Sequence, residues 1–278
     1  MPAMLALSTA LLYGFWSFGT GVFARQMSHY TVILVSGSAA ALVYVSTGLF
    51  TGTLLIDAAD LSPGLLGGLL NLGGTILLLA AYARGKLGVA AGIEPVSVLI
   101  PLAYSIAIGE ALTRATIFGV VVILVGLALF TVPSGRGGAG GAGSLATIGL
   151  CAGAAVLYGT AVVVLDIVSR VSVNGTMAVS MIPEIAIALT VVLATRSVAE
   201  IRGRSLVGVS GAGIALGLGS IAFYTAANEG DIGTVSVLAS LSPILTTLLA
   251  LVFLGERMLK VEIAGLMVVL VGSALILL

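Results

Sequence analysis

Two carboxylates stand inside long apolar runs of this chain, Glu94 and Glu184. Each adjoins a proline, as Glu94-Pro95 and Pro183-Glu184. A charge in such surroundings costs at least about 2.5–3.5 kcal/mol on insertion scales, so it must be paired, hydrated or protonated. Proline withholds a backbone donor and bends a helix. Each site therefore joins a titratable group to a bend. Glu94 is read in two ways that stay open. It either binds a cationic group or carries a proton, or it is a wall acid bonded to a neighbouring hydroxyl.

Aromatic residues form the second set. Tyr13 and Trp16 are three apart and share one helix face, and Tyr82, Tyr104, Tyr158 and Tyr224 lie in later apolar runs. Rings of this kind stack on flat or apolar groups while the phenol bonds a polar end. The alternative is a belt at the lipid interface. Tyr82, at the end of its run, is expected in such a belt. Tyr13, Trp16 and Tyr158 lie deeper.

What is missing narrows the chemistry. Cys151 is the one cysteine and His29 the one histidine, so neither a disulfide nor a metal cluster is expected. No P-loop is present, and no nucleophile–base arrangement. No cofactor is expected. The eleven basic and eleven acidic residues cancel, leaving no field to hold nucleic acid.

The elements that position these residues follow from composition. Apolar residues make up 59% of the chain and charged ones 8%. A soluble domain carries about 25% charged residues, so lipid is the solvent here. A helix needs about 20 apolar residues to cross the hydrocarbon. Ten such runs are expected, near 3–23, 31–50, 63–83, 87–108, 115–132, 145–165, 175–194, 206–227, 232–254 and 258–278. Ser134 to Gly143 reads SGRGGAGGAG, a flexible linker close to the middle.

The two sides of that linker resemble each other. AIGEALTRATIFGVVVILVGLALF at 107–130 aligns without gaps to FLGERMLKVEIAGLMVVLVGSALI at 253–276, matching Gly109 to Gly255, Glu110 to Glu256 and Gly126 to Gly272. ALLYG at 10–14 answers AVLYG at 155–159. Five spans is an odd number, so the second half enters from the opposite side and the repeats are inverted. The expected fold is an all-α integral membrane protein. It has ten transmembrane helices in two inverted five-helix repeats, 1–133 and 145–278, around a central cavity, with a Gly-rich linker at 134–144. Glycines four apart, as Gly64/Gly68 and Gly213/Gly217, are read as helix contacts. Glu110 and Glu256, at interhelical turns, are read as structural, accepting backbone N–H bonds or pairing with Arg114, Arg257 or Lys260.

SPILTTLLALVFLGERMLKVEIAGLMVVLVGSALI at 242–276, with its weaker copy EPVSVLIPLAYSIAIGEALTRATIFGVVVILVGLALF at 94–130, resembles the EamA-type repeat of the drug/metabolite transporter superfamily. In layout the chain is most similar to bacterial amino-acid exporters of the YddG type. The resemblance implies a basket in which the first, third, fourth, sixth, eighth and ninth helices surround the cavity and the fifth and tenth lie outside. It places the seventh helix near the periphery, so Glu184 is read as structural. It also implies substrate-binding roles for Tyr13, Trp16, Asn71, Glu94, Ser97, Tyr158, Tyr224, Ser236 and Ser240. Thr75, Ser220, Thr225, Asn228 and Ser242 fall on the same helices and either face the path or bond a neighbouring helix.

The expected function is a secondary transporter of the bacterial inner membrane. It exports small metabolites, amino acids including aromatic ones, by alternating access and works as a monomer in the bilayer. The rivals are a broad exporter of apolar drugs and, from another class, a non-transporting scaffold or intramembrane enzyme. Loops on one side carry nine of the eleven cations, which puts both termini outside the cytoplasm by the positive-inside rule. The resemblance favours termini inside.

Overall fold

The computed structural model describes residues 2–55, 57–84, 94–110, 113–130, 145–197, 203–255 and 260–276. All regular elements among them are helical. In the first half these are α1 (Pro2–Phe23), α2 (His29–Thr51), α3 (Ala58–Arg84), a 3-10 turn (Glu94–Val98) leading into α4 (Leu99–Ala107), and α5 (Arg114–Phe130). In the second they are α6 (Leu145–Ser169), α7 (Val173–Ala194), α8 (Gly203–Glu229), α9 (Ile232–Ala239), α10 (Ser242–Phe253) and α11 (Lys260–Ile276). The proposed linker lies outside the described residues.

Among the described residues, seven segments are long and apolar enough to cross a membrane: α1, α2, α3, α6, α7, α8, and α9 with α10 taken together. The chain is thus a multi-pass membrane protein. Its outer surface carries the apolar side chains that lipid requires, Phe50 at 91% exposed and Val207 at 74% among them. The helices of the three other expected spans are shorter among the described residues: α4 has 9 residues, and α5 and α11 have 17 each. The neighbouring stretches 85–93, 131–144 and 256–259 lie outside the described residues.

The ninth run is broken where its sequence requires it. Pro243 has no N–H for the carbonyl of Ala239, four residues back, so α9 stops at Ala239 and α10 starts afresh at Ser242. Asp231 caps α9, accepting from the Thr234 N–H at 2.6 Å. The α6 helix runs further than expected. Asp166 falls in its last turn, fully buried, 3.4 Å from the Arg170 guanidinium.

Packing follows the small residues. A Cβ on Gly68 would run into the Ser180 carbonyl and meet Pro183 Cγ at 2.9 Å, so α3 and α7 touch backbone to backbone there. Gly213 does the same between α8 and α2, against the carbonyl of Ser36 and the Ala39 Cβ at 2.8 Å. α5 and α11 pack mainly on each other, with Gly272 against the Gly119 carbonyl. Gly109 and Gly255 both take positive φ, +84° and +64°, a turn that an L side chain would strain. After the first of these turns Glu110 accepts from the Ser105 hydroxyl at 2.5 Å, a structural role met by a side chain in place of the backbone N–H bonds or the Arg114 pair expected. The side chain of Glu256 lies outside the described residues.

Candidate functional site

A cavity of about 140 Å³ lies inside the helix assembly. Three aromatic groups define its middle. Tyr13 crosses from α1 to α8, its ring where a Cβ on Gly219 would meet it at 2.9 Å and its hydroxyl 3.2 Å from Ser220 Oγ. Tyr158 crosses from α6 to α3, its ring where a Cβ on Gly74 would meet it at 3.0 Å, and its hydroxyl donates to Thr75 Oγ1 at 2.9 Å. Trp16, one turn beyond Tyr13, is 6% exposed. In both tyrosine contacts the absent glycine side chain makes room for the ring.

Toward the ends of α8 and α9 the wall continues with Tyr224, Phe223, Ser236, Ala239 and Ser240. Phe223 and Tyr224 meet edge to face at 5.0 Å. Ser236 precedes and Ser240 occupies the break that Pro243 enforces, and both residues line the cavity, the Ser240 hydroxyl donating to the Val237 carbonyl at 2.6 Å. Ser97 lines the wall from the 3-10 turn. Asn71 lines it from α3, and its Nδ2 donates at 2.8 Å to Oε1 of Glu184, which stands behind it at 3% exposure.

Eight of the nine residues singled out in the sequence therefore border one cavity: Tyr13, Trp16, Asn71, Ser97, Tyr158, Tyr224, Ser236 and Ser240. The side chain of the ninth, Glu94, lies outside the described residues; its backbone opens the 3-10 turn that carries Ser97. Ser220 and Ser242 also line the wall. Thr75 stands one bond behind Tyr158. Asn228 is elsewhere, donating to the Ser169 carbonyl at 3.2 Å, and Thr225 is off the wall.

The structure corrects two expectations. Tyr82 is not a belt residue: it is 0% exposed, packed in a core with Leu78, Leu79 and Ala24. The wall is not confined to six helices, because α2 contributes Tyr44 and α7 contributes Met181. The seventh run, α7, carries an exposed outer face at Ile182, Leu189 and Leu193, while Pro183 and Gly68 bring the turn that bears Glu184 onto α3. Tyr44 was missed because its helix is apolar on every side and offers no periodicity to mark an inner face.

Two polar atoms on the wall have no partner among the described residues. The indole Nε1 of Trp16 and the hydroxyl of Ser236 are buried and make no hydrogen bond. Leaving such a group unmade costs about 1–3 kcal/mol. The wall as described carries no charged side chain. The site thus offers ring faces, hydroxyls and an amide to something small that brings its own polar ends.

Residues 145–278 match the EamA-like transporter family. That match points to a membrane transporter of small molecules and accords with the helical membrane fold. A solved structure described as "Crystal structure of protein" superposes over 99% of this chain and 95% of its own length, with a TM-score of 0.78 and 18% sequence identity. At that identity the likeness is one of fold. No curated protein matches the chain.

Proposed function

We propose that the protein is a secondary transporter that exports small metabolites, amino acids with aromatic ones among them, by alternating access in the manner of the YddG-type exporters. The observation that carries this reading is the cavity wall itself: aromatic side chains beside the buried Trp16 Nε1 and Ser236 Oγ, which have no partner among the described residues. An amino acid supplies what such a wall lacks. Its carboxylate accepts from both groups, and its side chain lies on the rings of Tyr13, Tyr158 and Tyr224. The cavity volume favours a small solute over the rival, a broad drug exporter, since drug-sized ligands occupy pockets of about 300–1,000 Å³.

Alternating access draws support from the way the halves correspond. Assign α1 through α5 to one half and α6 through α11 to the other, with α9 and α10 as one span. Exchanging the halves then turns the α1–α8 contact into α6–α3 and the α2–α8 contact into α7–α3, and all four are among the main contacts of the fold. The α2–α7 and α5–α11 contacts map onto themselves. The 3-10 turn of the first half and the break at Ser240 of the second also fall at equivalent places. Ten spans in two inverted repeats, 1–133 and 145–278, account for this pattern.

Flux decides the matter. Purified protein in liposomes loaded with labelled amino acids should exchange them for unlabelled ones outside. No flux of any amino acid under either gradient rejects this substrate class, and resistance to dyes without amino-acid flux favours the drug exporter.

A further inference from the structure

Glu184 is buried in the wrong place for a spectator. Its α7 turn is locked against α3 by Gly68, whose backbone meets the Ser180 carbonyl and the Pro183 ring. One turn along α3 stands Asn71, which lines the cavity and holds Glu184 Oε1 at 2.8 Å. Among the described residues no basic side chain lies within ion-pair distance of Glu184. The titratable group facing it from α2 is Tyr44, and from α3 it meets the Asn71 amide. On α6 the titratable groups bond elsewhere, Tyr158 to Thr75 and Asp166 to Arg170. On α8, Tyr224 packs edge-on to Phe223. Glu184 therefore has one polar contact, and that contact is a wall residue of the cavity.

An amide has a donor end and an acceptor end, and a carboxyl group chooses between them by its proton. Ionised Glu184 only accepts, so Asn71 gives it the NH₂ and keeps its carbonyl for the cavity. Protonated Glu184 carries an O–H that donates to the Asn71 carbonyl, and the amide then turns its NH₂ to the cavity. One face welcomes an ammonium, the other a carboxylate.

We propose that Glu184 is the proton carrier of this transporter, and that Asn71 converts its protonation into a change of hydrogen-bonding character on the cavity wall. A proton from water on one side adds to the carboxylate, and the same proton leaves to water on the other side when the cavity has reopened there. No other bond changes. The inference rests on the transporter reading, and Glu184 acts through Asn71, so it is a positioning and coupling residue.

The test uses proteoliposomes of the wild type, Glu184→Gln and Asn71→Ala, with labelled amino acids. Glutamine still accepts from Asn71, so the fold contact is kept. Exchange at equal pH on both sides should persist in Glu184→Gln. Accumulation driven by an imposed proton gradient should fall about tenfold, within the usual range of coupling between two sites, and the pH dependence of substrate affinity should flatten. Asn71→Ala should flatten that pH dependence as well. A second readout needs no substrate: difference infrared spectra across a pH step should contain a carboxyl band that is absent from Glu184→Gln and shifted in Asn71→Ala. Wild-type accumulation by Glu184→Gln overturns the proposal, and so does the lack of any pH-dependent band from Glu184. A wild type without exchange overturns the transporter reading instead, and the infrared band still decides whether Glu184 holds the proton.

Discussion

Tyr13 and Tyr158, 145 residues apart, reach across the molecule to hydroxyl partners, Ser220 and Thr75, that are themselves 145 residues apart. The glycines under their rings, Gly219 and Gly74, keep the same spacing. Each tyrosine spans from the first helix of one half to the third helix of the other. One contact is thus made twice in the wall of the cavity.

Equivalent contacts predict equivalent losses. Tyr13→Phe and Tyr158→Phe each remove one hydroxyl bond and keep the ring, so each should lower stability by about 0.5–1.5 kcal/mol. Thermal melting in detergent checks this. Markedly unequal losses mean that the two contacts are not interchangeable parts.

The unpaired hydroxyl of Ser236 predicts opposite signs for stability and binding. Ser236→Ala removes a buried polar group that has no partner, so the empty protein should gain up to about 1–3 kcal/mol. Substrate should bind about fivefold more weakly, since one hydrogen bond of about 1 kcal/mol is lost. Calorimetric melting and ligand titration read the two effects separately. A variant that is both less stable and unchanged in affinity removes Ser236 from the binding wall.

Helix contacts supply a third prediction. Gly68→Ala and Gly213→Ala push a methyl group into a neighbouring backbone and should cost about 1–3 kcal/mol, read as a lower melting temperature or lost expression. Gly149→Ala meets nothing within 4 Å and should stabilise by about 0.5–1 kcal/mol through helix propensity alone. Equal effects at the three sites would mean that close approach is not what the glycines serve.

Glu94 and Glu184 should separate by assay. Glu94, read as a ligand for the substrate ammonium, should on conversion to Gln weaken affinity in exchange as well as in gradient-driven transport, by about tenfold or more. Glu184→Gln should spare exchange. Wild-type affinity in Glu94→Gln reduces that carboxylate to wall structure.

Much of the cavity wall was legible because charged and aromatic residues are rare in this chain, 8% and 6% of it. A serine such as Ser236 or Ser240 stands out in an apolar run, and the internal repeat tied Tyr13 to Tyr158. The inner faces of the helices were not legible. Lipid and protein core ask for the same apolar side chains, so α2 shows almost no amphipathic pattern and Tyr44 could not be assigned a direction. The position of Glu184 depended on Gly68 and Pro183, a close contact between helices that no local pattern of residues announces. Tyr82 failed for the same reason, since a ring at a span end suits an interface or a core equally well.

The break between α9 and α10 leaves one more mark on the cavity. Pro243 offers no hydrogen to the Ala239 carbonyl, and Ala239 borders the cavity. An acceptor of this kind belongs to the main chain. Scanning mutagenesis, which trades side chains, passes over it at Ala239 and registers it only at Pro243, where a new residue restores the missing donor. A break written in the backbone in this way is inherited through the place of a single imino acid, and the side chains around it can drift without erasing it.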